Sequence, residues 1–462
     1  MNDISRANAS ADLLALAQRC RDAGDPWQAV EHCRVVLAAE ADNAAALTLL
    51  GQCLATTGEL NAAGNSLSRA IELDPRRAAA YLHLGEVNAQ LGRSPEALRC
   101  FQHAVRLAPG DVNALNASAL ALWGNGRIEE ARGLFQRALE IEPENPFTLR
   151  NRQLLASRLV DRWHFAMVND TARNEHFEAA LRKVVGPASV VLDIGAGTGL
   201  LSMLAARAGA RQVIACEANP VLAGTARKII SRNGYSDRIR VLAKPSHQID
   251  PERDFPKNTR PDVLVAEVFD TMLIGEGALA TFEHARRYLL APGAAIIPRR
   301  AALYGALVES PRLWREGAVD TACGFDLDAL NDFRPETVVL ETASFEGRLL
   351  ADDFPIFEFD FGAGAGAGPS VRLDIPVREA GTCHALVYWI KLQLDDSTSV
   401  DNRPLFDGAA PASAYCGHWY QAARLLVPPV AVQPGMSLGV AARHNGRNVA
   451  VTVLDPVTGA PL

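Results

Sequence analysis

The 462-residue sequence has no run of about 18 or more apolar residues, so no segment reads as a membrane-crossing helix. Residues 1–20 contain no basic stretch leading into an apolar core, and no secretory signal is expected. Eight cysteines (20, 33, 53, 100, 216, 323, 383 and 416) form no CxxC pair and show no metal-ligand spacing. That pattern points to a reducing, cytoplasmic compartment with neither disulfides nor structural zinc. Positive charge is also short: 46 basic against 53 acidic residues leave a net charge of −7, which excludes bulk nucleic-acid binding. Lysine is scarce beside arginine. Apolar residues nevertheless make up 48% of the chain and charged residues 21%, ordinary values for packed cores, and the length suits roughly three domains.

Residues 10–43, 44–77, 78–111 and 112–145 align with a 34-residue period. One column reads Gly24, Gly58, Gly92, Gly126, and a second Ala29, Ala63, Ala97, Ala131. A third carries Cys33, Leu67, Phe101, Phe135, and a fourth Ala41, Pro75, Pro109, Pro143. Glycine permits a tight turn between two antiparallel helices, small alanines let them approach, and proline stops the second helix. The pattern resembles the tetratricopeptide repeat. It implies an α-helical solenoid over 8–159, closed by a helix from Pro146 to about Leu159. Its groove is expected to take a peptide or partner protein, with a plain scaffold as the alternative.

After residue 185 the pattern becomes strand–helix alternation. Ser189-Val-Val-Leu-Asp193-Ile is a short apolar run, followed by Gly195-Ala-Gly197-Thr-Gly199 and a helix over 200–208. Strands are expected at 212–216, 239–243, 263–266 and 294–297, giving a parallel, doubly wound sheet. A glycine turn between strand and helix brings backbone close to a bound cofactor, and Glu217 at the end of the second strand suits ribose hydroxyls. The GxGxG spacing is not the dinucleotide fingerprint. It looks like the S-adenosylmethionine-dependent methyltransferases, with other nucleotide binders as the alternative.

Two glutamates, Glu267 and Glu276, lie in the segment leaving the fourth strand, at the sheet edge where such folds bind ligands. Two converging carboxylates repel each other unless a cation lies between them. A guanidinium is such a cation, since its planar donors meet carboxylates bidentately. Upstream stands Trp163-His164-Phe-Ala-Met167-Val-Asn-Asp170-Thr-Ala-Arg173, and near the C-terminus Gly417-His418-Trp419.

With these segments the chain resembles the protein arginine N-methyltransferases, closest to the branch with N-terminal tetratricopeptide repeats. That branch usually carries two tandem catalytic modules, and this chain has room for one. The family's Thr-His-Trp loop lacks its threonine here. The resemblance implies a Rossmann-like α/β methyltransferase domain over 160–297, then a β-barrel substrate domain over 298–462. An arm inserted at about 310–336 is expected to mediate dimerisation.

The resemblance also implies roles. Asp193, Gly195, Gly197, Gly199, Glu217, Met167, Arg173 and Ser246 would bind S-adenosyl-L-methionine. Among them Glu217 would hold the ribose, Arg173 the methionyl carboxylate, and Ser246 would lie by the adenine. Glu267 and Glu276 would orient the substrate guanidinium, His418 would pair with Asp170 over the site, and Trp419 would lie on the substrate side. The expected partners are an arginine-containing protein or peptide, a protein on the repeat groove and a second copy of the chain, with no nucleic acid and no membrane. The alternatives are a catalytically inactive adaptor and a small-molecule methyltransferase.

In the last third, alternating runs at 301–308, 338–343, 357–361, 371–377, 385–394, 425–430 and 449–454 predict strands. The glycine–alanine tract at 362–369 reads as a surface loop.

Overall fold

The computed structural model describes residues 3–257, 259–340, 344–364, 368–406 and 411–462. They fall into two compact units, Met1–Val160 and Asp161–Leu462. No helix among the described residues is long and apolar enough to cross a membrane.

The first unit is a succession of helices that pack on their sequence neighbours: Asp3–Asp22, Pro26–Ala39, Ala44–Thr56, Leu60–Leu73, Ala78–Gln90, Ser94–Leu107, Val112–Gly124, Ile128–Ile141 and Pro146–Leu159. Gly24, Gly58, Gly92 and Gly126 all adopt positive φ, from +73° to +90°, in the turn between the two helices of each repeat. A side chain is strained there, which accounts for the glycine column. Ala29, Ala63, Ala97 and Ala131 are buried between helices.

A further small-residue requirement sits earlier in the repeat. A β-carbon on Gly51 would lie 2.5 Å from Leu67, and one on Gly85 would lie 2.5 Å from Phe101. The large residue of the second helix therefore seats directly on the backbone of the first. Helices ending at Leu73, Leu107 and Ile141 stop one residue before the extended residue that precedes each proline. The first repeat, with Ala41 in place of proline, ends in the same way: Glu40 has φ −138° and ψ 78°, against −137° and 87° at Asp74. Asn43, Asp111 and Asn145 then cap the next helix through their side chains. The closing helix is tied back by a buried Asn116–Thr148 hydrogen bond of 2.8 Å.

The second unit begins with two helices, α1 (Trp163–Asn169) and α2 (Thr171–Val184). A parallel sheet follows, of β1 (Val190–Ile194), β2 (Gln212–Glu217), β3 (Ile239–Ala243), β4 (Val263–Ala266) and β5 (Ala295–Ile297), in the order β3-β2-β1-β4-β5. The order reverses at β1, so the loops after β1 and β4 open into the same crevice. β1 and β4 are buried along their whole length, as central strands covered on both faces require.

From Arg300 the chain is antiparallel. A seven-stranded sheet centres on Arg300–Glu309, Gly381–Gln393 and Gln421–Val432, and a three-stranded sheet joins Ser370–Pro376, Ser437–His444 and Val449–Leu454. Apolar side chains of both sheets run into the core of the parallel sheet without a break. The strand expected at 338–343 is seen as Val338–Leu340, the remainder lying outside the described residues. Part of the glycine–alanine tract, 365–367, is outside them as well. Between Glu309 and Val338 the chain makes an excursion through a helix, a two-residue ribbon and a 3-10 turn, and Asn331 closes its base by bonding both the N–H and the carbonyl of Val319.

Candidate active site

Glycine conformation shapes the loop after β1. Gly195, Gly197 and Gly199 all have positive φ. Added β-carbons at Gly195 and Gly199 would meet Val268 at 2.7 Å and Ile230 at 3.0 Å, whereas at Gly197 the nearest atom is a carbonyl oxygen 3.9 Å away. Gly197 alone of the three thus offers open backbone to a ligand; the other two are needed for packing. Glu217 ends β2 and is buried, accepting from the N–H of Gly197 at 2.8 Å and of Asn219 at 2.7 Å. Asp193 is wholly buried beneath the loop, where burial pushes its carboxyl up to about 7. One of its oxygens accepts from Ser202 at 2.5 Å and the other has no partner among the described residues. This places Asp193 as a support of the loop and the following helix.

The helix pair α1 and α2 meets at Asp170, whose carboxylate caps α2 by accepting from the Arg173 N–H at 3.0 Å. The other oxygen of Asp170 takes the His418 ring at 2.8 Å and the His418 N–H at 3.2 Å. Burial works to raise the Asp170 carboxyl, but the bonds from His418 and Arg173 outweigh it and hold it low. A loop of the β region is thereby pinned to the start of α2. His418 is buried, and its second ring nitrogen has no partner among the described residues. Trp419 lies in the core, its ring 4.5 Å from that of His418, so the structure places it as packing behind the histidine.

Asp170 also sets Arg173 in place. The guanidinium lies over the ring of Phe177, bonds Asn174 at 2.9 Å and forms a buried ion pair with Glu267 at 2.8 Å. Its Nε is buried without a partner among the described residues. Glu267 directly follows β4, so the pair joins the start of α2 to the sheet edge. Glu267 therefore has its counter-charge from the chain itself, a link that residue types and spacing did not show.

Glu276 is different. It reaches solvent at the mouth of the site and has no counter-charge within hydrogen-bonding reach among the described residues. Enclosure by the surrounding protein, then the charges of Glu267, Asp270, Asp161 and Glu217, push it up to about 7. Asp270 carries no motif that marks it in the sequence. Its carboxylate accepts from the Gly275 N–H at 2.9 Å and lies where a β-carbon on Gly275 would be, 1.9 Å away, so it folds the segment that presents Glu276. An aspartate five residues ahead of a glycine was the available signal. Asn174 and Asp161 were also missed: Asn174 bonds its near neighbours Arg173 and Val168, whereas Asp161 acts by its charge on Glu276, distant in the chain.

Met167 is half-buried on α1, a helix with no fully buried residue, on which Trp163 stacks against His164. Ser246 opens a short 3-10 turn just beyond β3, half-buried at the same sheet edge as Glu217. The structure thus brings Asp170, Arg173, Glu267, Glu276 and His418 together, beside the Gly197–Glu217 cradle.

Comparison with known proteins agrees with this geometry. Tetratricopeptide-repeat family models match residues 76–144 and 51–92, and the ribosomal protein L11 methyltransferase model matches 178–283. The chain is 40% identical over 337 residues to an arginine N(omega)-methyltransferase of Streptomyces achromogenes subsp. streptozoticus, covering 72% of this chain and 89% of that one. It is 31% identical to protein arginine N-methyltransferase 9 of Xenopus laevis and 32% identical to protein arginine N-methyltransferase 7 of Oryza sativa subsp. japonica. Those matches cover 68% and 62% of this chain but only 42% and 44% of theirs, so the chain spans less than half of these longer relatives. Among solved structures, a Trypanosoma brucei PRMT1 enzyme–prozyme heterotetrameric complex with AdoHcy shares the fold, with TM-score 0.55 and 21% identity, over 66% of this chain and 98% of that one. A strand-end acid, a glycine cradle and paired glutamates on this fold agree with the sequence relatives: the chain belongs to the arginine N-methyltransferase family, with tetratricopeptide repeats ahead of its methyltransferase module.

Proposed function

We propose that this protein transfers a methyl group from S-adenosyl-L-methionine to a guanidino nitrogen of arginine in a protein or peptide. The observation that carries the reading is the pair of glutamates after β4: Glu276 lies near enough to feel the charge of Glu267 and is uncompensated, while Glu267 is held by Arg173.

The residues present fit the cofactor. Gly197 leaves open backbone, Glu217 stands at the end of β2 for ribose hydroxyls, and the orphaned Nε of Arg173 suits a carboxylate. S-adenosylmethionine, when bound, supplies an electrophilic sulfonium methyl group. The protein's part is positional and electrostatic. A guanidinium stays protonated at any physiological pH and its lone pairs are delocalised, so free in water it is a poor nucleophile. Glu276, and the Glu267 oxygen that Arg173 does not bind, draw positive charge toward the nitrogens they bind and leave the remaining nitrogen richer. Bidentate contact also fixes its direction. When that nitrogen takes the methyl group, the methyl–sulfur bond breaks with its electrons staying on sulfur as a neutral thioether, and the doubly charged guanidinium gives its N–H proton to solvent, so no strong base is needed beforehand. The Asp170–His418 pair holds the start of α2, and with it Arg173, in register with Glu267.

The arm after Glu309 exposes Phe325, Leu327, Leu330 and Phe333, an apolar surface that supports a homodimer through this segment. The repeat array supports recruitment of a protein substrate or partner. The test is transfer of labelled methyl to arginine-containing peptides, followed by acid hydrolysis and amino-acid analysis. Label in methylarginine supports the reading. Its absence across basic peptides and proteins, with the cofactor bound, rejects it.

A further inference from the structure

A cation with no assigned task lies beside the segment that carries Glu276. The turn Asn445–Asn448 joins two strands of the three-stranded sheet. It is built tightly: Asn445 accepts from the N–H groups of Arg447 at 3.0 Å and Asn448 at 2.7 Å, and Gly446 takes φ +89°. The turn presents Arg447 next to Gly277. The Arg447 Nε lies 4.0 Å from where a β-carbon on Gly277 would stand, one residue beyond Glu276. The Arg447 side chain is exposed and makes no ion pair or side-chain hydrogen bond among the described residues. Glu267, by contrast, already has Arg173.

The rim of the site thus pairs carboxylates, for a guanidinium, with a free guanidinium of its own. That arrangement is complementary to a substrate carrying the opposite pair, a guanidinium and a carboxylate close by. An exposed arginine fork facing such a carboxylate binds it bidentately, which a lysine does less well. We propose that Arg447 is a specificity-determining residue that binds a carboxylate on the substrate beside the reacting arginine. This rests on the proposed methyl transfer to arginine. The carboxylate has two sources, the α-carboxylate of free or C-terminal arginine and an acidic residue next to an internal arginine. The name of the streptomycete relative, which specifies arginine without specifying a protein, agrees with the first.

The test compares pairs of substrates that differ only in the carboxylate: L-arginine against agmatine, and an Asp-Arg peptide against its Asn-Arg counterpart. For wild type, R447A and R447K, kcat/KM is measured on each. The expected result is that the preference for the carboxylate-bearing member falls about fivefold in R447A, the scale of a solvent-exposed charged pair, and is partly kept in R447K. The pair that shows the fall identifies the source. A preference unchanged in R447A for both pairs overturns the proposal, and a variant that is merely less well folded lowers both members equally and gives that same unchanged ratio. Methyl transfer to none of the substrates by wild-type protein rejects the methyltransferase reading itself.

Discussion

Arg173 and Glu267 stand 94 positions apart in the chain and meet at 2.8 Å, both almost completely buried. The helix that starts at Asp170 supplies one charge and the strand-end loop after β4 the other. Removing one partner of such a pair leaves an uncompensated buried charge, which typically costs 3–5 kcal/mol. Glu267→Gln is therefore expected to destabilise the catalytic unit by about 3 kcal/mol and to lower activity. Chemical denaturation with fluorescence detection checks the first and methyl transfer the second. Unchanged stability would mean that Arg173 finds another partner.

Glu276→Gln should separate function from folding. Glu276 reaches solvent and forms no ion pair among the described residues, so its removal is expected to leave stability unchanged or slightly improved. Methyl transfer should fall by about 10² or more, as when a preorganised electrostatic contact is removed. Retention of near-wild-type turnover on an arginine peptide would refute its assigned part in guanidinium binding.

A pH dependence follows from the same residue. Glu276 and Asp193 both have carboxyls raised to about 7, from ordinary values of 4.5 and 3.8. Between those ordinary values and about 7, the folded state holds more protons than the unfolded state. Their contribution to stability is therefore fully present below about pH 4 and is lost as pH rises to about 7. Activity runs the other way, because Glu276 binds a guanidinium when ionised: kcat/KM should climb through pH 7 and then level. Glu276→Gln should flatten the stability change across that window, and a parallel slope would show that Glu276 does not titrate there.

His418 and Asp170 are expected to act as one unit. Each is buried, and Asp170 serves both the histidine and the cap of α2. A cycle of His418→Ala, Asp170→Asn and the double variant should be non-additive by about 1 kcal/mol or more in stability. Cofactor affinity should weaken in each single variant, because Arg173 loses its register. Simple additivity would show that the two residues stabilise the fold independently.

The arm offers a separate test. Phe333 and Leu330 are among its most exposed apolar residues. The double variant Leu330→Glu, Phe333→Glu should convert a dimer to a monomer in analytical ultracentrifugation without loss of helical signal. A monomeric wild-type protein would count against the assembly proposed here.

Much of the architecture was legible because it rests on local rules. The 34-residue columns record positive φ at Gly24 and its equivalents and close helix approach at Ala29 and its equivalents, constraints imposed by near neighbours. The proline column was a weaker guide, since the first repeat ends its helix in the same geometry without one. Strand β1, its glycine turn and Glu217 follow from apolar runs and backbone freedom, and the chain order of those elements sets which loops share a crevice.

Charge compensation was decided by the tertiary structure. Spacing indicated that Glu267 and Glu276 belong together but not that Arg173 neutralises one and leaves the other raised to about 7. Nor did residue type show that Trp419 packs behind His418, that Asp270 folds the Glu276 segment, or that Gly195 and Gly199 answer to Val268 and Ile230 while only Gly197 lies open. The physical reason is common to all of them. Backbone conformation depends on residues a few positions away, whereas burial and electrostatic potential at one atom are sums over groups that meet only after the sheet, the helix α2 and the β region have packed.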